Sequence, residues 1–255
     1  MKRSDVYSDA NNKLNSFLNY NIQNYRDLRN YDYGPKNREN VSCLSPYISH
    51  RVLLEYNIIN RVLGKYKFSE VEKFIQEILW KVYWRGFLEN RPLIWSDFTE
   101  SIGKIDSALN PIDSEKYSNA IAGKTGIGCF DQWIFELKEF NYLHNHARMW
   151  FASIWIFTLK LPWQLGAKIF LEHLLDGDPA ANTLSWRWVA GIHTQGKNYL
   201  ASQKNIDKFS NISVRNLHLN QNEKPITETK NYTVEQFKYK INYFKSTDNL
   251  LVFDT

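Results

Sequence analysis

Four residues whose side chains could handle a flat, polar ligand share one face of a predicted helix at residues 69–90. They are an acid, a base and two indoles: Glu77, Trp80, Lys81 and Trp84. Spacings of three and four residues place side chains next to one another on a helix. A solvated face would carry more Lys and Glu and fewer Trp. The pattern therefore leaves two interpretations open: this face of the helix is structural, or it binds a ligand.

A second polar group lies between two predicted helices, in Asp176-Gly177-Asp178-Pro179-Ala180-Ala181-Asn182. Two acids and an amide at alternating positions are a feature of calcium loops. An EF-hand, however, needs Glu at loop position 12, where this chain has Arg187. Asp178 in front of Pro179 predicts a helix N-cap instead. Capping accounts for one Asp only, so Asp176 and Asn182 remain available to a ligand.

Three further patterns are weak alone. The residues 123–126, Gly-Lys-Thr-Gly, fail as a phosphate-binding loop because position 118 is Ser, so a turn is predicted. His144 and His146 are two apart and do not face each other on a helix, so no metal site is predicted. Hydroxyl side chains near the helix start at Ser45-Pro46 are compatible with a phosphate site.

Helical spacing of apolar residues dominates the chain and predicts the elements that position these groups. It predicts helices at about 9–29, from 45 to about 63, and at 69–90, 130–140, 145–160, 162–175 and 179–189. Ser69 and Glu72 resemble a capping box at the start of the helix at 69–90. Residues 96–125 are more polar, and their pattern predicts irregular structure. The predicted class is all-α, with one domain at 1–205 and a divergent polar extension at 206–255. A short strand at 250–253 is also predicted.

The composition excludes several classes of protein. The 255 residues are 43% hydrophobic and 23% charged, which is typical of a globular chain. The longest apolar run, 149–159, is too short for a membrane span of about 20 residues. Two cysteines make no disulfide framework, so a reducing, cytoplasmic setting is expected, with no membrane partner. A net charge of +5 favours an anionic partner such as nucleic acid.

Taken in order, the motifs resemble the FAD-binding helical domain of the cryptochrome and DNA photolyase family. They are residues 44–47 (Leu-Ser-Pro-Tyr), 77–80 (Glu-Ile-Leu-Trp), 123–126, 144–149 (His-Asn-His-Ala-Arg-Met), 176–182 and 186–188 (Trp-Arg-Trp). The resemblance runs from about residue 12 to residue 199. It implies a multi-helix bundle around FAD, in a short form that lacks the family's N-terminal antenna domain.

The resemblance assigns roles to matching positions. Arg148 and Asp176 would pair beside the flavin, Asp178 would accept a hydrogen bond from its ring, and Asn182 would lie beside its N5. The implied cofactor-binding set is Tyr25, Ser42, Leu44, Ser45, Glu77, Trp80, Asn145, Arg148, Asp176, Asp178 and Asn182.

The implied function is blue-light-driven repair of cyclobutane pyrimidine dimers in DNA. Reduced FAD would pass an electron to a dimer flipped into the cavity. The residues implied to be catalytic are Glu77, Trp80, Met149, Asn182 and Trp188. The alternatives are a cryptochrome-like photoreceptor or a flavin redox protein without repair activity, with a separate antenna or signalling partner.

Electron supply and DNA contact depart from the family pattern. Trp186 and Trp163 match the two inner members of its tryptophan triad, but Ala120 stands at the outer position. Three residues are candidates to replace it: Tyr117, Trp155 and Trp150. The residues implied to contact DNA are Arg29, Lys81, His146 and Lys197.

Overall fold

The structure is a computed structural model that describes residues 3–212 and 218–235. Over these residues it is helical, and its β content is one isolated bridge between Asp32 and Ser210. The predicted all-α class is confirmed. The strand predicted at 250–253 lies outside the described residues.

The helices follow one another along the chain, mostly with short connections, apart from the longer segments 29–44 and 191–202. They are α1 (Arg3–Ser16), α2 (Tyr25–Leu28), α3 (Ser45–Ser49), α4 (Glu55–Leu63), α5 (Phe68–Glu89), α6 (Leu93–Ser107), α7 (Pro111–Ala122), α8 (Gly128–Phe140), α9 (Asn145–Ser153), α10 (Trp163–His173), α11 (Pro179–Ala190) and α12 (Gln203–Phe209). A π-helical turn at Phe17–Asn21 and a 3₁₀ turn at Ile22–Asn24 separate α1 from α2. A second π-helical turn, Ile154–Thr158, extends α9.

Two large apolar cores lie on either side of α5. One joins α1, α3 and α4 to the first half of α5, through residues such as Leu14, Ile58 and Phe74. The other, rich in aromatic rings, joins α8 to α12 and includes Trp155 and Trp186. Because α5 also packs on α11, the space between the two cores is enclosed by helices from both.

Several predicted boundaries were wrong. The helix predicted at 9–29 is interrupted by the π and 3₁₀ turns, and the one starting at 45 is two helices, α3 and α4. Arg51, between them, has a positive φ of 58° that ends regular helix. Residues 96–125, predicted as irregular, lie mostly in α6 and α7.

Hydrogen bonds at the first residues of the helices explain where several of them begin. The side chain of Asn110 accepts from the backbone N–H of Asp113 at 2.9 Å, with Pro111 in the first turn of α7. The start of α5 is at Phe68, where Glu70 accepts from the backbone N–H of Lys67 at 2.9 Å, so the Ser69 and Glu72 capping box was wrong. The N-cap predicted for Asp178 is confirmed, since its Oδ1 accepts from the N–H groups of Ala180 and Ala181.

The polar segment after residue 205 touches the helical bundle where the structure describes it. The N–H of Ile226 donates to the carbonyl of Ala190 at 2.9 Å, and Arg187 pairs with Glu228. The division at 205 remains a prediction. No helix within the described ranges is long and apolar enough to cross a bilayer.

Candidate functional site

A cavity of about 620 Å³ opens between α5, α9, α11 and the segment 41–45. A cavity of this size is in the usual range for a small-molecule or cofactor site. Ten of the eleven predicted cofactor-binding residues line it: Tyr25, Ser42, Leu44, Ser45, Glu77, Trp80, Asn145, Arg148, Asp176 and Asn182. Met149, Trp186 and Trp188 also line it.

Charged groups form the floor of the cavity. Arg148 Nη2 lies 3.0 Å from Asp176 Oδ1, and the side chain of Asp176 is 4% exposed. Burial alone would raise the pKa of Asp176, but the charges of Arg148 and Lys81 outweigh it and hold the pKa below its usual value. The floor therefore keeps a buried carboxylate ionised between two cations.

Lys81 points inward, towards this floor. Its Nζ donates to Ser49 Oγ at 3.0 Å. Burial lowers the pKa of Lys81, against the attraction of the carboxylates of Asp176 and Asp178. Lys81 thus supplies positive charge inside the cavity, and this placement does not support the predicted contact with DNA.

Asp178 is the one predicted cofactor residue outside the cavity lining. Its Oδ1 caps α11 and its Oδ2 lies 3.3 Å from Nε of Arg85, which also pairs with Glu55. Both carboxylate oxygens are thus already engaged by protein groups. Asn182, one helical turn further on, donates from Nδ2 to the carbonyl of Ala167 at 2.9 Å, which orients its amide in the wall.

The mouth of the cavity carries Glu77 and aromatic rings. Glu77 lies 3.7 Å from Arg29 Nε, and its side chain is 43% exposed. The apolar walls around it raise its pKa, and the charge of Arg29 opposes that shift. Trp80 stacks on Trp84 with ring centroids 5.6 Å apart. Across the cavity, Trp188 stacks on Tyr199 at 5.7 Å.

A chain of aromatic rings leads from the cavity wall towards the surface. Trp186 contacts Trp155 with centroids 6.3 Å apart, and Trp155 contacts half-buried Tyr117 at 5.9 Å. Gly166 makes the first contact possible, since a Cβ there would lie 2.3 Å from Trp186 and 3.0 Å from Trp155. Only glycine leaves room for both indoles.

Trp163 and Trp150, the other two tryptophans predicted to carry electrons, lie outside this row of rings. Trp163 does not line the cavity, and it stacks on Phe98 at 5.5 Å. Trp150 stacks on Trp133, and its Nε1 donates to Asn205 at 2.9 Å. Of the three candidates for the outer position, Trp155 and Tyr117 are therefore in ring contact along a path to Trp186.

The remaining predicted DNA contacts are unevenly placed. His146 packs against Trp150 and Phe209, and burial together with the charge of neighbouring groups lowers its pKa to about 4. It is neutral at physiological pH and does not line the cavity. Lys197 is exposed, in a turn that follows α11. No group of three or more metal-ligating side chains occurs among the described residues.

Sequence reasoning missed four residues at this site. Gly166 was overlooked, although a glycine inside a helical pattern is a signal of close packing. Tyr83, Phe87 and His193 were also overlooked. Two of these follow Trp80 on α5 at helical spacing, which could have revealed them, whereas His193 comes from a separate segment.

Comparison with known proteins identifies the family to which the chain is similar. Residues 74–216, more than half of the chain, match the family described as the FAD binding domain of DNA photolyase. The deoxyribodipyrimidine photo-lyase of Vibrio cholerae is 28% identical over 190 residues, which are 73% of this chain and 40% of that protein. The same-named protein of Streptomyces griseus is 31% identical over 188 residues, 73% of this chain and 39% of that one. The chain thus spans about two-fifths of the length of these relatives.

Solved structures show the same fold. A class III photolyase from Agrobacterium tumefaciens superposes with a TM-score of 0.67, at 23% identity, over 80% of this chain and 42% of that one. A cryptochrome from Synechocystis superposes with a TM-score of 0.68, at 20% identity, over 80% and 43%.

The cavity also fits a flavin on its own evidence. Trp186 Nε1 is a buried polar atom of the wall that lacks a hydrogen bond, and an indole N–H can donate to a ring heteroatom. The hydroxyl group of Ser42 also lines the cavity and offers a further donor. The chain belongs to the family of FAD-binding domains of DNA photolyases, and its cofactor is FAD.

Proposed function

We propose that this protein repairs cyclobutane pyrimidine dimers in DNA under blue light. The observation that carries the proposal is the arrangement within one cavity: a paired, buried charge floor and a mouth built of indoles and one carboxylate. The two parts can hold a cofactor and a flipped pyrimidine pair next to each other.

When bound and reduced, FAD supplies light-driven donation of one electron, which returns after the ring has split. The chain's own residues hold both reactants. Arg148, Lys81 and Asp176 fix the cofactor's polar groups, and the amide of Asn182 adds a neutral partner. A neutral amide adds no charge beside a flavin that becomes anionic on reduction.

The mouth would hold the dimer. Trp80 and Trp188 offer flat apolar surfaces to unstacked bases, and Met149 adds an adaptable apolar contact. Burial raises the pKa of Glu77 and so favours its neutral form, which would donate a hydrogen bond to a pyrimidine carbonyl. Such a donor stabilises negative charge that develops on the pyrimidine as the electron arrives.

The decisive experiment is repair of a synthetic thymine-dimer oligonucleotide by reduced protein, in blue light and in the dark. Light-dependent recovery of intact thymines is expected. Protein that binds FAD and is photoreduced but restores no thymines would contradict the proposal.

A second candidate function is that of a blue-light sensor or flavin redox protein. The contacts from Trp186 through Trp155 to Tyr117 support it, since such rings can carry an electron into the cavity without any DNA. A sensor would need Asn182 and Asp176 but not Glu77. A light-dependent change in oligomeric state without DNA would favour this candidate, and its absence would count against it.

A further inference from the structure

A row of aromatic side chains extends outward from the cavity mouth. We call Tyr83, Trp84, Phe87 and His193 the outer aromatic row. Tyr83, Trp84 and Phe87 follow Trp80 along one face of α5. His193, from the segment after α11, lies edge-on between them, with centroids 4.8 Å from Trp84 and 4.6 Å from Phe87.

The rings of this row are available to a ligand. Tyr83 is 45% exposed, like its neighbour Trp80 at 50%, and the other three are half-buried. Burial and the charges of Arg187 and Arg91 lower the pKa of His193, which favours its neutral ring. Tyr83, Trp84 and His193 border the opening of the cavity, so whatever covers them lies against the ligand that enters.

The Lys and Arg residues that line the cavity already face protein groups. Arg29 faces Glu77, Lys81 faces Ser49 and Arg148 faces Asp176. Arg91 lies over the ring of Phe87 at 4.1 Å, at the far end of the row. Duplex DNA is held mainly by contacts between cations and phosphates. An opening lined by rings, whose lining cations face protein groups, suits stacking better than phosphate binding.

We propose that the outer aromatic row stacks unpaired bases next to the pyrimidine pair in the cavity, so that the preferred substrate is single-stranded DNA. From Trp80 to Phe87 the helix rises about 10 Å. This is enough for about three bases at the stacked spacing of roughly 3.4 Å per nucleotide. The inference rests on the proposed function and names its substrate class.

The test is binding of fluorescently labelled, undamaged oligo(dT) and of a duplex of equal length, measured by anisotropy at two salt concentrations. Wild-type protein with FAD bound is expected to bind the single strand more tightly. Tyr83→Leu and Phe87→Leu, which remove a ring and keep an apolar side chain, should each weaken single-strand binding about fivefold or more. Duplex binding should change little.

The matched control is Phe135→Leu, since Phe135 is an exposed ring on α8 away from the cavity. Tighter binding of the duplex, or equal binding by all variants, would overturn the inference. A single-strand affinity that falls with salt as steeply as the duplex affinity would also overturn it, because phosphate contacts would then dominate both.

Repair assays separate this inference from the proposed function. Repair of a dimer equally well in duplex and single strand would overturn the single-strand preference and leave the photolyase function standing. Tight, ring-dependent binding of single strands without any light-dependent repair would do the reverse.

Discussion

The floor and the mouth of the cavity are built on opposite principles. At the floor, the buried carboxylate of Asp176 faces the half-buried cations of Arg148 and Lys81. At the mouth, Trp80 and Tyr83 present exposed rings with few free charges. Both regions include residues of α5, and Lys81 and Trp80 are adjacent in sequence.

The difference indicates which ligand stays and which exchanges. Buried charges are stable only when they are paired, so a floor that depends on them is suited to a permanently bound polar group. The exposed rings at the mouth are already in contact with water in the protein without ligand. The mouth can therefore release its ligand. We therefore expect substitutions at the floor to remove FAD and substitutions at the mouth to spare it.

The largest effect is expected from Asp176→Asn. This change removes the carboxylate and leaves the cations of Arg148 and Lys81 without their partner. A hydrogen bond to a charged group is worth up to about 3 kcal/mol, so FAD affinity should fall by about 100-fold. The measurement is FAD retained after gel filtration. In the control Asp113→Asn, the exposed pair with Lys116 is lost, and full FAD retention is expected.

Glu77→Ala should act on repair alone. Losing the carboxyl group at the mouth, and with it the hydrogen bond to the pyrimidine, should lower the yield of restored thymines per absorbed photon roughly 10- to 100-fold, while FAD content stays constant. Glu172→Ala, which alters an exposed acid on α10, is the control. An unchanged yield for Glu77→Ala would show that the mouth works by stacking only.

Trp155→Phe should slow photoreduction of the bound flavin several-fold in the presence of an external thiol, without loss of FAD. The reason is that phenylalanine is harder to oxidise than tryptophan, so the ring path from Tyr117 to Trp186 is interrupted. The rate of flavin bleaching under blue light is the measurement. Trp133→Phe changes an equally buried indole that stacks on Trp150, and it should bleach normally. If Trp163→Phe alone slowed bleaching, the path through Trp155 would be wrong.

The smallest effect on DNA binding is expected from His146→Gln, which should leave DNA affinity at neutral pH unchanged. His146 is neutral there, because its pKa is lowered to about 4. A histidine with a lowered pKa binds its proton more tightly in the unfolded chain, so it destabilises the fold as the pH falls from about 6.5 to 4. The free energy of unfolding should drop by about 2 kcal/mol from this group over that range. Urea titrations at several pH values should show a smaller drop in the variant.

Local spacing predicted a large part of the fold. Asp178 before Pro179 predicted a helix start, and the spacing of Glu77 and Trp80 placed them on one face, because caps and helix faces depend on nearby residues. The direction of Lys81 was not predictable in this way. It turns inward because Ser49 and Asp176, distant in sequence, provide partners in the folded protein.

The wrong predictions also come from contacts between residues that are distant in sequence. Residues 96–125 are polar on average, yet Phe98 and Ala120 reach the core and stabilise α6 and α7 through tertiary contacts. The contact of Asp178 with Arg85 was not predictable either, because Arg85 is distant in sequence, and the cofactor role of Asp178 stays a prediction. Trp155 was one of three candidates in the sequence, and only the packing of α10 against the π-helical turn shows which rings it touches.

Gly166 has a consequence for how the protein responds to temperature. The main chain of α10 itself touches both indoles, since there is no space for even one carbon atom beyond its Cα. The gap between Trp186 and Trp155 is thus set by a helix backbone rather than by side-chain rotamers. Warming loosens rotamers well before it melts a packed helix. The contact between Trp186 and Trp155 should therefore persist on heating until α10 itself unfolds.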